Sequence, residues 1–284
     1  METVLSDANK LALEADWPAA CARMVETIKR EFERFPTYAD RSVGTGQGAG
    51  GDFTLVIDEV AEDAVFAELE ALAASGAEFY AVSEERGEVE FGSRAVKIVV
   101  DPIDGSLNAK RVAQSWSLSV AVAVGETMED VVFGYVYDFG ANEEWIATKG
   151  EGAFVDGRLL DPSESGNSLE VVGLESTKPA FMTRELLEAF DGEVQRIRSI
   201  GSIALTLCQV AAARYDGMLS LRACRSVDAA AAQLIAREAG ATVVFGDDDE
   251  LIAPLNLAPY KPVAAGRDAA RAAFLIGALS AETA

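Results

Sequence analysis

The chain is 284 residues long, half of them hydrophobic and a quarter charged, the composition of an ordered protein with a sizeable core. It carries 47 Asp and Glu against 24 Lys and Arg, a net charge of −23 that argues against nucleic-acid or anionic-membrane surfaces as partners. It has no histidine, which excludes a Ser-His-Asp or Cys-His nucleophile and His-ligated zinc, and leaves carboxylates, hydroxyls and oxygen-seeking metals such as Mg²⁺ or Mn²⁺.

The opening Met1-Glu-Thr-Val-Leu-Ser-Asp lacks the basic start and apolar centre of a signal peptide, and no apolar run is long enough to span a bilayer. A cytoplasmic location is the expectation. Cys21, Cys208 and Cys224 show no metal or redox spacing, and the first and second sit among apolar residues like core packing. Acidity with scarce lysine also fits a high-salt cytoplasm, where self-repulsion is screened. Loss of structure on dialysis into low salt would support that reading, and full stability there would count against it.

Cys21, Met24, Val25, Ile28, Phe32 and Phe35 recur at the steps of one buried helix face, and Pro36 closes the run. Ser42–Gly51 is rich enough in glycine to be mobile, either as a linker or as a loop closing over a ligand. Its glycines fit no dinucleotide fingerprint. Asp52 is placed to cap a second helix running to about Ala74, with Thr54 and Asp58 on one face of its first turns. A solvated face explains that pair equally well.

Glu78–Val82 reads as a strand delivering Ser83, Glu84 and Glu85. The next strand, Ile98–Val100, runs into Asp101 and Asp104, and Pro102 is expected to end it. Two close carboxylates repel, and a bound cation is the simplest way to keep both ionised. Sequential strands are often neighbours, so Glu84 is within reach of the same pocket. Gly105 and Ser106 then offer N–H groups to an anion if the chain turns into a helix. An Asp-Pro turn followed by an Asp-Gly turn is the plainer explanation of the same residues.

Ser117–Val124 and Val131–Tyr137 alternate like antiparallel sheet, continued by Glu144–Ala147 and Gly152–Val155 with a hairpin turn at Asp156-Gly157. The turn-rich stretch Asp161–Asn167 divides residues 1–162 from 163–284. Beyond it, strands at Leu169–Leu174, Val194–Ile200, Asp216–Arg222, Thr242–Phe245 and Pro262–Ala265 alternate with helices at Thr183–Phe190, Ser202–Ala213, Ala229–Ala239 and Asp268–Leu279. Gly201-Ser202 opens one helix as a further possible anion site, and Asp228 opens another, where an aspartate also serves as a simple cap.

Taken in order, Asp101-Pro-Ile-Asp-Gly-Ser106, the upstream Glu84-Glu85 and the helix from Asp228 to Glu238-Ala-Gly240 resemble the motifs of the inositol monophosphatase-like metal-dependent phosphatases. Gly44-x-Gly46 before Thr54 and Asp58 is most similar to the archaeal type, in which inositol monophosphatase and fructose-1,6-bisphosphatase activities are often combined. The resemblance implies an α/β protein, a layered αβαβα sandwich with an α+β N-terminal half. It implies two or three Mg²⁺ ions, with Mn²⁺ as a substitute, held by Glu84, Asp101, the Ile103 carbonyl, Asp104 and Asp228. Glu84 and Ser106 would orient the attacking water, and Asp58 would hold the Ser106 hydroxyl. Asp104, Gly105, Ser106, Arg198, Ser202 and Arg222 would contact a sugar phosphate. Departures at Ala109-Lys110-Arg111, Ser220 and Val227 leave the ligands intact but weaken a narrow inositol assignment. The competing expectations are a 3′-phosphoadenosine 5′-phosphate phosphatase and a non-catalytic metal-binding regulator. Relatives of this kind are usually homodimers or homotetramers.

Overall fold

The computed structural model describes residues 5–47, 53–161, 168–246 and 251–280. The first part contains α1 (Asp7–Leu13), α2 (Trp17–Phe32), α3 (Tyr38–Arg41), β1 (Gly44–Gln47), β2 (Phe53–Leu55) and α4 (Val56–Ala74). There follow β3 (Phe79–Ser83), β4 (Gly87–Asp104), α5 (Ser106–Lys110), β5 (Ser117–Ala123), β6 (Val131–Asp138), β7 (Glu143–Thr148), β8 (Gly152–Val155) and β9 (Arg158–Leu159). The second part has β10 (Leu169–Glu175), α6 (Arg184–Phe190), β11 (Val194–Arg198), α7 (Ile203–Ala211), β12 (Gly217–Ser220), α8 (Ser226–Glu238), β13 (Thr242–Phe245), β14 (Val263–Gly266) and α9 (Ala269–Ser280).

Among the described residues, β3 to β9 form a seven-stranded sheet in sequence order, and β11-β10-β12-β14-β13 form a five-stranded one. Alternation along the strands gives the larger sheet two buried faces. Leu118, Val120 and Val122 pack with Ile98, Tyr135 and the apolar side of α2 and α4. Ala121, Ala123, Val136 and Trp145 turn the other way, against α7 and α8. Those two helices also pack on β12 and β13, whose far face carries α6 and α9 around Leu219, Val244 and Leu275. The order of layers is therefore helix, sheet, helix, sheet, helix, as expected.

The middle layer is thin because its residues are small. Ala229 to Ala232 of α8 are all buried, and a Cβ on Gly134 of β6 would stand 2.6 Å from the Ala231 carbonyl oxygen. Contact this close holds the first turn of α8, with Asp228, in a fixed position beside the end of β4.

Several local expectations change. β4 is longer than Ile98–Val100 and flanks β3 on both edges, since Ser83 is in register with both Gly87 and Val100. Pro102 does not end it. The strand continues to Asp104 through an irregularity in which Asp101 faces Ser119 and Asp104 faces Ser117, one extra residue that lets the proline sit without donating. Thr54 lies in β2, outside the helix, because Leu55 is extended and α4 starts at Val56, so Thr54 and Asp58 do not share a helical face. Part of the glycine-rich stretch is strand, with β1 paired antiparallel to β2. The remainder of that stretch, the Asp52 cap and residues 162–167 of the expected join lie outside the described residues.

Candidate active site

The bulge at the end of β4 sets the two aspartates. Asp101 is buried and its Oδ1 accepts the Ile103 N–H at 2.9 Å. Asp104, also buried, accepts the Ser202 hydroxyl at 2.6 Å and the Ala204 N–H at 2.7 Å through Oδ2. The N-terminus of α7 thus does bind an anion, and the anion is the carboxylate of Asp104. Ser202 is buried, caps α7 through the Leu205 N–H, and is committed to these contacts. Gly105 has φ of +96°, and a Cβ there would stand 2.9 Å from the Ser115 carbonyl oxygen, so glycine is needed to pass from β4 into α5. The Ser106 hydroxyl donates to the Ile103 carbonyl at 3.1 Å.

Glu84 follows β3 and Asp228 opens α8, and the Arg225 guanidinium lies between them. Its Nη2 is 2.7 Å from Glu84 Oε1 and 3.0 Å from Asp228 Oδ1. Thr54 donates to Glu85 Oε2 at 2.6 Å. Asp58 Oδ2 accepts the Leu55 N–H at 2.8 Å, while its Oδ1 is buried without a hydrogen-bond partner. The expected Asp58–Ser106 hydrogen bond is absent, because Ser106 turns to the Ile103 carbonyl, although both side chains line one small cavity with Glu84, Glu85 and Asp101.

The cluster is electrostatically expensive. Burial, then the charge of Asp228, pushes Asp104 up to about 8 against its hydrogen bonds from Ser202 and Ala204. Burial, then Glu84, Asp104 and Asp228, holds Asp101 well above the ordinary carboxyl range. Burial also raises Glu84, with Arg225 opposing, and takes Asp58 up to about 7. Burial works against the Arg225 charge, but Asp228 and Glu84 outweigh it and raise that guanidinium. One arginine does not offset this many carboxylates. A donor set of carboxylate and carbonyl oxygens with an orphaned Asp58 Oδ1 fits a hard divalent cation. Among the described residues no three acidic or thiol groups already stand in a metal-holding arrangement, and Arg225 lies between Glu84 and Asp228.

A cleft beside the cluster is lined by Asp104, Leu107, Glu175, Lys178, Gly201 and Asp228, among others. Among the described residues, neither Arg198 nor Arg222 lines it. Arg198 folds back onto the Ile197 carbonyl on edge strand β11, and Arg222 stacks over Phe181 with its guanidinium carbon 4.5 Å from the ring centroid. Sequence reasoning missed Glu175. This buried carboxylate accepts the Ile200 and Gly201 N–H groups and the Thr206 hydroxyl, and so fixes the turn that presents Ser202. The signal was a charge closing the apolar run Val171–Leu174.

Comparison with known proteins gives the family. The model of the Inositol monophosphatase family matches residues 12–281. A fructose-1,6-bisphosphatase/inositol-1-monophosphatase of Methanothermobacter thermautotrophicus is 33% identical over 262 residues, 88% of this chain and 92% of that protein. Nus factor SuhB of Escherichia coli K12 is 30% identical over 207 residues, 71% of this chain and 75% of that one. A solved inositol monophosphatase–fructose 1,6-bisphosphatase superposes with a TM-score of 0.80 at 26% identity, covering 93% of this chain and 99% of its own. The chain belongs to the inositol monophosphatase family and is, with it, a hydrolase.

Proposed function

We propose that the protein hydrolyses a sugar or polyol phosphate monoester, inositol monophosphate or fructose 1,6-bisphosphate or both, with Mg²⁺ held by Glu84, Asp101, the Ile103 carbonyl, Asp104 and Asp228. The observation that carries this reading is the set of carboxylates at the end of β4 and the start of α8, faced by the single guanidinium of Arg225. When bound, two or three such ions neutralise the phosphate and lower the pKa of a coordinated water. Gly105 and Ser106 offer backbone N–H groups to phosphate oxygens at the turn into α5. Glu84 accepts a proton-side hydrogen bond from the attacking water and aims it, as does the Ser106 hydroxyl. Rotation of Ser106 away from Ile103 gives Asp58 Oδ1 the donor it lacks, and that pair then fixes the hydroxyl. Residues 1–162 supply Glu84, Asp101 and Asp104, and residues 163–284 supply Asp228, so the reaction centre spans both halves.

The substrate wall is the cleft that Leu107 and Lys178 help to line, and Arg198 and Arg222 would reach the substrate only by leaving the Ile197 carbonyl and the Phe181 ring. No helix among the described residues is long and apolar enough to cross a membrane. The test is phosphate release from inositol monophosphate, fructose 1,6-bisphosphate and 3′-phosphoadenosine 5′-phosphate, with and without Mg²⁺. Metal-dependent release from either of the first two is expected. Release from the nucleotide alone would reassign the substrate, and release from none would leave the metal-binding regulator as the better reading.

A further inference from the structure

The position of Arg225 is unusual. It is the N-cap residue of the 13-residue helix α8, and its side chain stays at that end. A cation at a helix N-terminus faces the positive pole of the helix dipole, where acidic or small polar residues are favoured. Here the guanidinium is nevertheless largely enclosed, with side-chain exposures of 20% for Arg225, 12% for Glu84 and 13% for Asp228. Its Nη2 bridges Glu84 and Asp228, its Nε approaches Asp228 Oδ2 at 3.5 Å, and its backbone N–H donates to the same oxygen at 3.0 Å. The carboxylates therefore hold it there against the dipole. They are also two of the groups assigned to the cation, one from each half of the chain.

We infer that Arg225 is an internal counter-ion of the acidic centre, a displaceable cation that joins Glu84 to Asp228 and leaves when a divalent metal binds. This rests on the reading that those carboxylates bind such a metal. A guanidinium spans two carboxylates with fixed, directed N–H groups. It keeps the metal-free protein from the full repulsion of its buried acids, and it competes for the same oxygens. The stability it lends the metal-free state is subtracted from apparent metal affinity, because a ligand is favoured only by its differential interaction with the two states. The centre is then tuned to fill only when free cation is plentiful, while the protein stays folded when cation is scarce.

The experiment measures Mn²⁺ binding by electron paramagnetic resonance and thermal unfolding with and without Mn²⁺, in wild type, Arg225→Gln and Arg225→Lys. Binding by wild type is expected; its absence would overturn the metal reading itself. Given that binding, Arg225→Gln should bind Mn²⁺ several-fold more tightly. Its Tm should fall in the metal-free state and converge on wild type when saturated. Arg225→Lys separates displacement from long-range charge, and serves if the Gln variant folds only with metal. Lysine keeps the charge but cannot bridge both carboxylates, so its dissociation constant should also fall below wild type. A dissociation constant equal to or above wild type in Arg225→Lys would overturn the inference.

Discussion

Ser202 donates its hydroxyl to Asp104 at 2.6 Å across 98 residues of sequence, and the same oxygen accepts the Leu205 N–H that caps α7. One side chain thus joins the two halves at one of the aspartates proposed to bind the metal. Ser202→Ala removes a buried hydrogen bond and a helix cap together, a loss of about 2–3 kcal/mol. Denaturant unfolding should show a lower midpoint, and the Mg²⁺ concentration for half-maximal phosphate release should rise. A variant as stable as wild type would mean the contact carries no net energy.

Asp104 gives a prediction with opposite signs for stability and turnover. Its carboxyl is raised by burial to about 8 from an ordinary 3.8. The folded chain therefore holds a proton that the unfolded chain releases, and metal-free stability declines as pH rises from about 4 to about 8. Asp58, taken up to about 7 by burial, adds to the same decline. Thermal unfolding of the metal-free protein should show Tm falling across that window, with saturating Mg²⁺ flattening the curve. Asp104→Asn retains an oxygen for Ser202 and Ala204 without the buried charge. It should melt higher than wild type at pH 8 without metal, yet lose activity at least about a hundredfold, the scale of a lost transition-state contact.

Gly134→Ala tests the thin middle layer. The added methyl would meet the Ala231 carbonyl oxygen at 2.6 Å, a backbone atom with no rotamer to yield. The helix or the sheet must shift, at a cost of about 1–3 kcal/mol. Asp228 rides on the first turn of that helix, so the variant should need more Mg²⁺ as well as unfolding earlier. Calorimetry and a metal titration on one preparation check both.

The sequence made the centre legible where its chemistry is local. Even there, taken alone, Asp101 to Ser106 read as well as two turns and Asp228 as a helix cap; their roles and the layered fold came from the resemblance to a family, while periodicity marked only the individual strands and helices. Long-range placement was not legible. Nothing near Arg225 in sequence says that its side chain turns toward Glu84, which arrives from the end of another strand. Glu175 likewise acquires meaning only when the Ile200–Gly201 turn folds over it. The exchange of Thr54 from helix to strand had a local cause, the extended Leu55, but propensity alone did not decide it. Pro102 misled because a bulge satisfies a proline as well as a strand end does.

The long separation between Asp104 and Asp228 also bears on how the chain is born. During synthesis Glu84, Asp101 and Asp104 leave the ribosome well before the helix that brings Asp228 and Arg225. The seven-stranded sheet then has one face without its alanine-rich cover, and its acidic end lacks the guanidinium of Arg225. A divalent ion in the surrounding medium can act at that stage as a folding aid, and docking of α8 becomes the step that both closes the core and takes custody of the charge. Refolding rates in the presence and absence of Mg²⁺ therefore report on the same event that completes the centre.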